Sequence, residues 1–313
     1  MTERDAASLH LPVMPAEVLS LVSAADGGLF VDCTLGLGGH TEAILSANDA
    51  NRVIGIDQDD EALHLARKRL ARFGDRVRLV KANFSEIDNV VEEPIDGILA
   101  DLGVSSLQLD SETRGFSFRH DAPLDMRMDP ASGEETVSEL LERLPENEIA
   151  DIIYKFGEER HSRRIARRIV EKRKSGEPVK TTTELAELVK RSVPFNPKDK
   201  IHPATRTFQA LRIAVNGELD ILERFVSDAV DILKTEGVLA VITFHSLEDR
   251  IIKHAFQRLA GKCICPPRQP VCTCGAVRKV EIVTKKPILP TETEQTQNPR
   301  SRSAKLRACR KLN

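Results

Sequence analysis

The sequence predicts an α/β protein with a parallel, doubly wound sheet that a helical segment interrupts. Short apolar runs alternate with helical periodicity up to residue 109, which is the pattern of consecutive βαβ units. From 110 to about 212 no run has the length and composition of a strand, and apolar residues recur with helical spacing. The strand pattern then returns. We therefore predict a core in two parts, 1–109 and 213–313, with a helical insertion at 110–212.

The stretch 29–60 predicts the first strand–helix–strand unit. An apolar strand at 29–34 runs into a glycine turn, a helix begins at Thr41, and a second strand at 52–56 ends at Asp57. The turn glycines, which let a backbone approach a ligand closely, are Gly36, Gly38 and Gly39. Ligands bind at the carboxyl ends of the strands in such sheets, and a carboxylate there can hold both hydroxyls of a ribose. The unit therefore predicts a nucleoside-cofactor site.

The other elements follow in chain order. Before the insertion, helices are predicted at 10–22 and 61–73, and strands at 76–81 and 95–100. Inside it, capping boxes at Thr136 and Thr181 start two helices, and further helices are predicted at 145–156 and 158–174. After it come a helical stretch at 205–234 that divides near Asn216, a strand at 238–244, a helix at 251–259 and a strand at 280–284. Because this last part has too few strands for its own sheet, both parts must join one sheet.

Composition and charge restrict the class of protein. The chain has 313 residues, is 41% hydrophobic and carries a formal net charge of −2, so it has no overall polyelectrolyte character. No apolar run approaches the ~18 residues of a membrane span, and the N-terminus lacks the basic-then-apolar order of a secretory signal. We expect a cytoplasmic protein without a membrane partner.

Two segments are strongly basic. Residues 158–174 contain eight basic and three acidic residues, and 298–313 contain six basic residues and no acidic ones. Local basic patches on a near-neutral protein fit a partner such as RNA that is met by one face. Each patch alone is better explained as a solvated helix face or a loose tail, so together they favour RNA only modestly. The arginine-containing loop 114–127 is a further substrate-side candidate.

The glycine turn favours one cofactor over another. A dinucleotide fingerprint needs Gly-x-Gly-x-x-Gly, but its sixth place here is Thr41, which weakens the alternative of a nicotinamide-dependent oxidoreductase. Asp-x-Thr-x-Gly-x-Gly-Gly with an acidic second strand end is closer to the turn of S-adenosylmethionine-dependent methyltransferases. A non-enzymatic alternative is an RNA-binding assembly factor that only senses the cofactor, against which intact Asp57 and Asp101 argue.

Asp101 is the predicted catalytic residue. It ends an apolar strand at the ligand-binding edge, where a carboxylate needs a partner. We predict a mixed role for it, in contacting the cofactor and in orienting the amine that is methylated. Phe84, after the third strand, either flanks an adenine or packs in the core. His245 and Asp249 are either substrate-side groups or the cap of a helix.

Several long motifs resemble one bacterial enzyme family. They are His10-x-Pro-Val-Met14, GLGGH at 36–40, DLGVSSLQLD at 101–110, GFSF at 115–118 with DMRMD at 125–129, ATRTFQALRIAVNGEL at 204–219, FHSLEDR at 244–250 and NPRSRSAKLR at 298–307. In this order, and over essentially the whole chain, they are similar to the cytosine-N4-specific methyltransferases of small-subunit ribosomal RNA.

The resemblance implies a Rossmann-like, S-adenosylmethionine-dependent methyltransferase core with an inserted helical domain on the substrate side. It implies methylation of the exocyclic N4 amine of one cytidine in the decoding region of small-subunit ribosomal RNA. The partner is then this RNA or the assembled small ribosomal subunit, and a homodimer is left open. The cofactor positions of the family match Gly38, Gly39, His40, Asp57, Phe84, Asp101 and Gln108 here.

Four cysteines form the pattern C-x-C-x6-C-x-C: Cys263, Cys265, Cys272 and Cys274. A cytoplasmic location argues against disulfides, and four thiolates can bind Zn²⁺ in a tetrahedron. The spacing differs from the C-x2-C of zinc ribbons, and the resemblance requires no metal. The sequence assigns no metal ligand to the reaction and leaves zinc at these cysteines open.

Overall fold

A seven-stranded sheet forms the centre of the computed structural model, which describes residues 11–194, 201–263, 265 and 273–313. The order of the strands is β3-β2-β1-β4-β5-β7-β6. Their bounds are β1 Leu29–Asp32, β2 Arg52–Asp57, β3 Val77–Lys81, β4 Ile95–Asp101, β5 Leu233–Thr243, β6 Val280–Ile282 and β7 Lys305–Lys311. Strands β1 to β5 run parallel, whereas β7 is antiparallel to both β5 and β6. The predicted parallel sheet is confirmed for its first five strands.

Both faces of this sheet are buried, as expected for parallel strands covered by helices on each side. Successive residues of one strand point to opposite faces, and the core divides accordingly. Val31 and Ile98 belong to one apolar cluster together with Phe225 and Phe256 from helices. The side chains that point to the opposite face, such as Phe30, belong to a second cluster. The α/β part therefore has three layers.

The prediction that both parts of the core share one sheet is confirmed. Strand β4 precedes the helical insertion and β5 follows it, yet the two pair directly, with Leu99 opposite Ala240. The helices before the insertion are α1 Pro15–Leu21, α2 Gly39–Ala47, α3 Asp60–Leu70 and α4 Ile87–Val90. Pro15 opens α1, where its missing N–H costs nothing.

The insertion is helical. Helix α5 Ser106–Asp110 leads into it, and its own helices are α6 Val137–Arg143, α7 Glu146–Gly157, α8 Ser162–Lys174, α9 Thr182–Ser192 and α10 Ala204–Asn216. The two predicted capping boxes are present, since Thr136 accepts from the Glu139 N–H and Thr181 accepts from the Glu184 N–H. The described residues of this segment contain no strand, as predicted.

The chain divides into two compact units. One comprises residues 1–103 and 219–313, and the other comprises 104–218, which includes the predicted insertion 110–212. The second unit has an apolar core of its own, built from residues such as Leu140, Ile165 and Phe208. The remaining helices, α11 Leu222–Ile232, α12 Ser246–Leu259 and α13 Glu292–Gln297, belong to the first unit. None of the helices in the described ranges combines the length and apolarity needed to cross a bilayer.

The C-terminal segment corrects one interpretation. Residues 298–313 were expected to form a polar, basic tail, but 305–311 are strand β7 inside the sheet. Leu306, Ala308 and Cys309 are fully buried, and the Arg307 guanidinium pairs with the Asp249 carboxylate at 2.7 Å. The segment therefore belongs to the fold, because its apolar side chains pack on both faces of the sheet, Leu306 in one core cluster and Cys309 in the other.

Candidate active site

The ends of β1 and β4 form the centre of the site. The strand order reverses between these neighbouring strands, and such a switch point opens a crevice outside their carboxyl ends. The backbone N–H of Asp101, at the end of β4, donates to the Thr34 hydroxyl beyond β1 at 2.6 Å. This bond fixes the two strand ends to each other, so that Asp101 has a defined position at the crevice.

The glycine turn connects β1 to α2. Gly36 has φ +50° and donates its N–H to Asp57 Oδ2 at 2.7 Å, so the turn is bonded to the end of β2. Gly38 has φ +78° and precedes α2, and a Cβ on it would lie 3.0 Å from the Leu70 side chain. Position 38 therefore requires glycine, because its φ is positive and because a side chain would collide with Leu70 of α3. The turn leads into the N-terminus of α2, whose first N–H groups have no partner within the helix.

The structure brings His40 and Asp101 together. The His40 Nε2 lies 3.5 Å from Asp101 Oδ2, and both side chains are mostly shielded from solvent, with exposures of 7% and 22%. Within the described part of the chain, neither His40 Nε2 nor Asp101 Oδ1 has a hydrogen-bond partner, although both atoms are buried. A buried carboxylate oxygen without a partner is costly, so Asp101 Oδ1 is suited to accept a hydrogen bond from a ligand.

Asp32 is a third ionisable residue at this edge, and it was not among the predicted site residues. It ends β1, is almost fully buried and accepts from the Thr41 hydroxyl at 2.7 Å. Burial raises the pKa of Asp32, and the neighbouring His40 and the Thr41 hydrogen bond oppose this shift. An acidic residue that ends an otherwise apolar strand was the available signal for it.

Asp57 lies at the end of β2, as predicted. Its two carboxylate oxygens accept backbone N–H bonds from Gly36 at 2.7 Å and from Asp59 at 2.9 Å. Burial raises the pKa of Asp57 to about 6, against these two hydrogen bonds. Since a carboxylate has about four acceptor positions, the ionised form of Asp57 retains capacity for two hydroxyl donors.

The end of β3 carries Asn83 and Phe84. The Asn83 side chain caps the short 3₁₀ turn that follows and donates to Gln58 Oε1 at 3.0 Å, beside Asp57. The Phe84 ring packs edge-on against Phe225, with centroids 5.0 Å apart. Phe84 is thus partly a core residue and partly exposed at the rim beside Asp57's strand.

Two weaker candidates have structural partners. His245 caps α12 by accepting from the Glu248 N–H, and Glu248 Oε2 accepts from the Phe244 N–H at 2.8 Å. Asp249 pairs with Arg307 and lies 3.7 Å from Lys305. These contacts favour the helix-cap interpretation of this motif over a role on the substrate side.

The helical unit contains Gln108 and the predicted substrate-side cations. Gln108 sits in the first turn of α5, where its side chain accepts from the Ser105 N–H in a capping box. The Arg114 guanidinium donates to the carbonyls of Arg127 and Met128 at 3.1 and 3.0 Å, and Arg127 pairs with Asp125. Arg114 and Arg127 therefore hold their own loop together.

Helix α8 presents a basic surface. Its buried face contains Ile165, Ile169 and Val170, as predicted, while Arg163 and Arg164 are exposed and pair with no acid in the described ranges. Nη1 of Arg173, at the end of the same helix, instead donates to three main-chain carbonyls around the C-terminus of α6, at 2.7–2.9 Å. Only part of the basic cluster is available to a partner.

Comparisons with known proteins identify similar chains. The family model described as the MraW methylase family matches residues 7–312. A protein named ribosomal RNA small subunit methyltransferase H from Carboxydothermus hydrogenoformans is 50% identical over 307 residues, which cover 97% of this chain and 98% of that protein. The protein of that name from Brevibacillus brevis is 51% identical over 312 residues, with the same coverage of each chain. A solved rRNA methylase from Streptococcus thermophilus has a TM-score of 0.40 and 12% identity, covering 94% of this chain and 95% of the other.

Proposed function

The chain belongs to the MraW methylase family, and we propose that it methylates the exocyclic N4 amine of one cytidine in the decoding region of small-subunit ribosomal RNA, using S-adenosylmethionine. The relatives that are about half identical over nearly the whole chain are named as small-subunit ribosomal RNA methyltransferases. The observation that carries the chemistry is the unpartnered Asp101 Oδ1 at the strand-switch crevice. A nicotinamide-dependent oxidoreductase does not fit this family.

The residues at the crevice fit S-adenosylmethionine by the chemistry of their donors and acceptors. The N-terminus of α2, at Gly39 and His40, suits the amino-acid carboxylate, because free N–H groups and the helix dipole favour an anion there. Asp57 would accept from the ribose hydroxyls, and Phe84 would flank the adenine. Gly38 would let the turn approach the cofactor, and Gln108 is proposed as a contact from the resemblance alone.

Asp101 is proposed to orient the reacting amine. S-adenosylmethionine supplies the methyl group on a sulfonium, and in-line transfer depends mainly on distance and orientation. The cytosine amine is a poor nucleophile because its lone pair is delocalised into the ring. A hydrogen bond from its N–H to Asp101 Oδ1 would help to localise that lone pair and would give the departing proton an acceptor.

His40 is proposed as a positioning residue for Asp101. Its Nε2 lies beside Oδ2 of that carboxylate, 3.5 Å away, whereas Oδ1 is the oxygen left without a partner. An imidazole at one oxygen restrains the rotation of the carboxylate about its own axis. The other oxygen is thereby kept toward the crevice, where an amine can donate to it.

RNA is proposed to contact the helical unit through α8. Arg163 and Arg164 are exposed on this helix, and guanidinium groups bind phosphates well. The target base must leave its stack to reach the methyl group. The substrate is ribosomal RNA, either alone or in the assembled small subunit, and the proposed compartment is the cytoplasm, where that substrate is found.

Methyl transfer to a mapped nucleotide tests the proposal. Small ribosomal subunits and protein-free ribosomal RNA, both lacking the modification, are incubated with labelled S-adenosylmethionine, and the labelled nucleoside is identified by mass spectrometry. We expect one N4-methylated cytidine on one of these substrates. The absence of label on RNA would overturn the proposed function and would favour an assembly factor that only binds the cofactor.

Asp101→Asn tests the proposed catalytic group in the same assay. We expect the rate to fall about 100-fold or more, the scale expected when an acid–base group is removed, while cofactor affinity changes less than about tenfold. Asp75→Asn is the control, because Asp75 is an exposed acid outside the proposed site. Full transfer by Asp101→Asn with unchanged cofactor affinity would remove Asp101 from the mechanism.

A further inference from the structure

Three cysteines converge in the segment between α12 and β6, away from the crevice. The Sγ atoms of Cys263, Cys265 and Cys274 all lie within 4.8 Å of one another. They are contributed by both arms of the segment, which is closed at its base by a bridge between Ala260 and Arg278. Cys272, the fourth cysteine of the pattern, lies outside the described residues. The other two cysteines are buried, Cys33 directly after β1 and Cys309 in β7.

The distance between the sulfurs of Cys263 and Cys274 fits two ligands of one metal ion better than a disulfide. Cys274 Sγ and Cys263 Sγ are 3.6 Å apart. A disulfide would bring two sulfurs to about 2.05 Å, whereas two thiolates on one tetrahedral zinc, each at about 2.3 Å, are about 3.8 Å apart. The observed separation therefore corresponds to an edge of a coordination tetrahedron.

Backbone N–H groups already point at the sulfurs. The Cys265 N–H donates to Cys263 Sγ, and the Thr273 N–H donates to Cys265 Sγ, both at 3.4 Å. Such bonds stabilise thiolates and orient them, which is the usual role of the groups around metal ligands. Backbone hydrogen bonds therefore help to hold the sulfurs in position.

The described residues of the segment form no apolar core that would otherwise hold them together. None of the described residues from 261 to 279 is buried, and Val277 is 66% exposed. Ordering each residue costs about 1–2 kcal/mol of backbone entropy, and small segments of this kind are commonly stabilised by a structural metal. Soft thiolate ligands select Zn²⁺ over harder cations.

We infer that Cys263, Cys265 and Cys274 are ligands of a structural Zn²⁺ ion that joins the two arms of this segment. The ion holds residues 261–263 and 273–279 together beside β6, at the edge of the sheet.

Metal analysis of the purified full-length chain tests this inference. After expression with zinc and purification without chelator, we expect about one zinc ion per chain, as for a structural tetrahedral site. Cobalt substitution should give the charge-transfer and d–d absorption of tetrahedral thiolate-bound Co²⁺. Cys263→Ser and Cys274→Ser should each lose most of the zinc, whereas Val277→Ala, at a residue of the same segment that is 66% exposed, should keep it.

Two further measurements distinguish the site from its alternatives. Circular dichroism should be unchanged in the serine variants, because no core residue lies among the described residues of the segment. Trypsin should cleave the metal-depleted protein within residues 261–279 faster than the zinc-loaded protein. A chain without metal that carries a disulfide by mass spectrometry under non-reducing conditions, or a site that holds iron in place of zinc, would overturn the inference.

Discussion

At the scale of single residues, three acids end strands at the crevice, and burial disfavours the ionised form of two of them. Asp32 ends β1, Asp57 ends β2 and Asp101 ends β4. Burial raises the pKa of Asp32, and it raises the pKa of Asp57 to about 6. Carboxyl groups with perturbed pKa values in a cleft are typical of functional sites. Burying these acids lowers the stability of the fold, which is consistent with a role in binding a ligand.

The raised pKa of Asp57 predicts a pH-dependent cofactor affinity. The carboxylate accepts hydrogen bonds from ribose hydroxyls, and the protonated form has less of this capacity. Affinity is therefore full only well above pH 6, where Asp57 is ionised, and it declines as the pH falls through that value. By linkage, Kd for S-adenosylmethionine should rise about tenfold per pH unit below 6, measured by titration calorimetry from pH 5 to 8.

Asp57→Asn tests whether Asp57 causes the pH dependence of cofactor affinity. At pH 8 this variant should lose about 1.5–3 kcal/mol of cofactor binding, the contribution of hydrogen bonds to a charged group, and its Kd should no longer depend on pH in this range. Asp60→Asn is the control, since Asp60 is an exposed acid three residues further on and pairs with Lys81. A wild-type Kd that stays constant from pH 8 to 5 would contradict the assignment of Asp57.

At the scale of elements, local sequence signals specify most of the helices and strands. Capping boxes, Pro15 and the alternating apolar runs depend on neighbours along the chain, and the structure places those elements where they were predicted. Strand β7 was missed, because its basic residues suggested a solvated tail. The alternation of Leu306 and Ala308 with charged residues was present, but the pairing strands lie more than twenty residues away.

Strand β7 predicts a stability effect that a loose tail would not have. Leu306→Ala removes a fully buried side chain and should lower the free energy of unfolding by about 2–5 kcal/mol. Leu289→Ala, at a leucine that is 58% exposed, should change it by less than about 0.5 kcal/mol. Urea denaturation followed by circular dichroism measures both, and equal effects would show that β7 does not contribute to the fold in solution.

The arginines of helix α8 are expected to have two different roles, RNA binding and stabilisation of the fold. Replacing Arg163 and Arg164 with alanine should weaken RNA binding and lower the slope of log K against log salt by about 1 for each phosphate that is no longer neutralised. Arg173→Ala should instead destabilise the protein by about 1–3 kcal/mol, since three carbonyls near the end of α6 would be without this donor. An unchanged salt slope in the double variant would exclude α8 as an RNA-binding surface.

At the scale of the whole molecule, the chain consists of two units with separate cores. The α/β unit is assembled from both ends of the chain, and the helical unit is continuous from 104 to 218. A fragment of 104–218 should therefore fold alone, with a helical circular dichroism spectrum and cooperative thermal unfolding. The fragment 104–200 lacks α10, which contributes Phe208 and Leu211 to the core, and it should not unfold cooperatively. A 104–218 fragment without a transition would contradict the independence of the unit.

The order of strands β1 to β6, the glycine turn and the acidic strand ends could be predicted from the amino-acid sequence, because they depend on propensities and on contacts between near neighbours. Only the tertiary structure shows that Asp101 lies beside His40 and Thr34. It also shows that Arg114 and Arg173 donate to main-chain carbonyls of distant residues in the helical unit, and that β7 lies between β5 and β6. Those arrangements depend on which distant segments become neighbours in the sheet or in the helical core. Periodicity along the chain predicts which face of an element is buried, but it does not specify the partner that buries it.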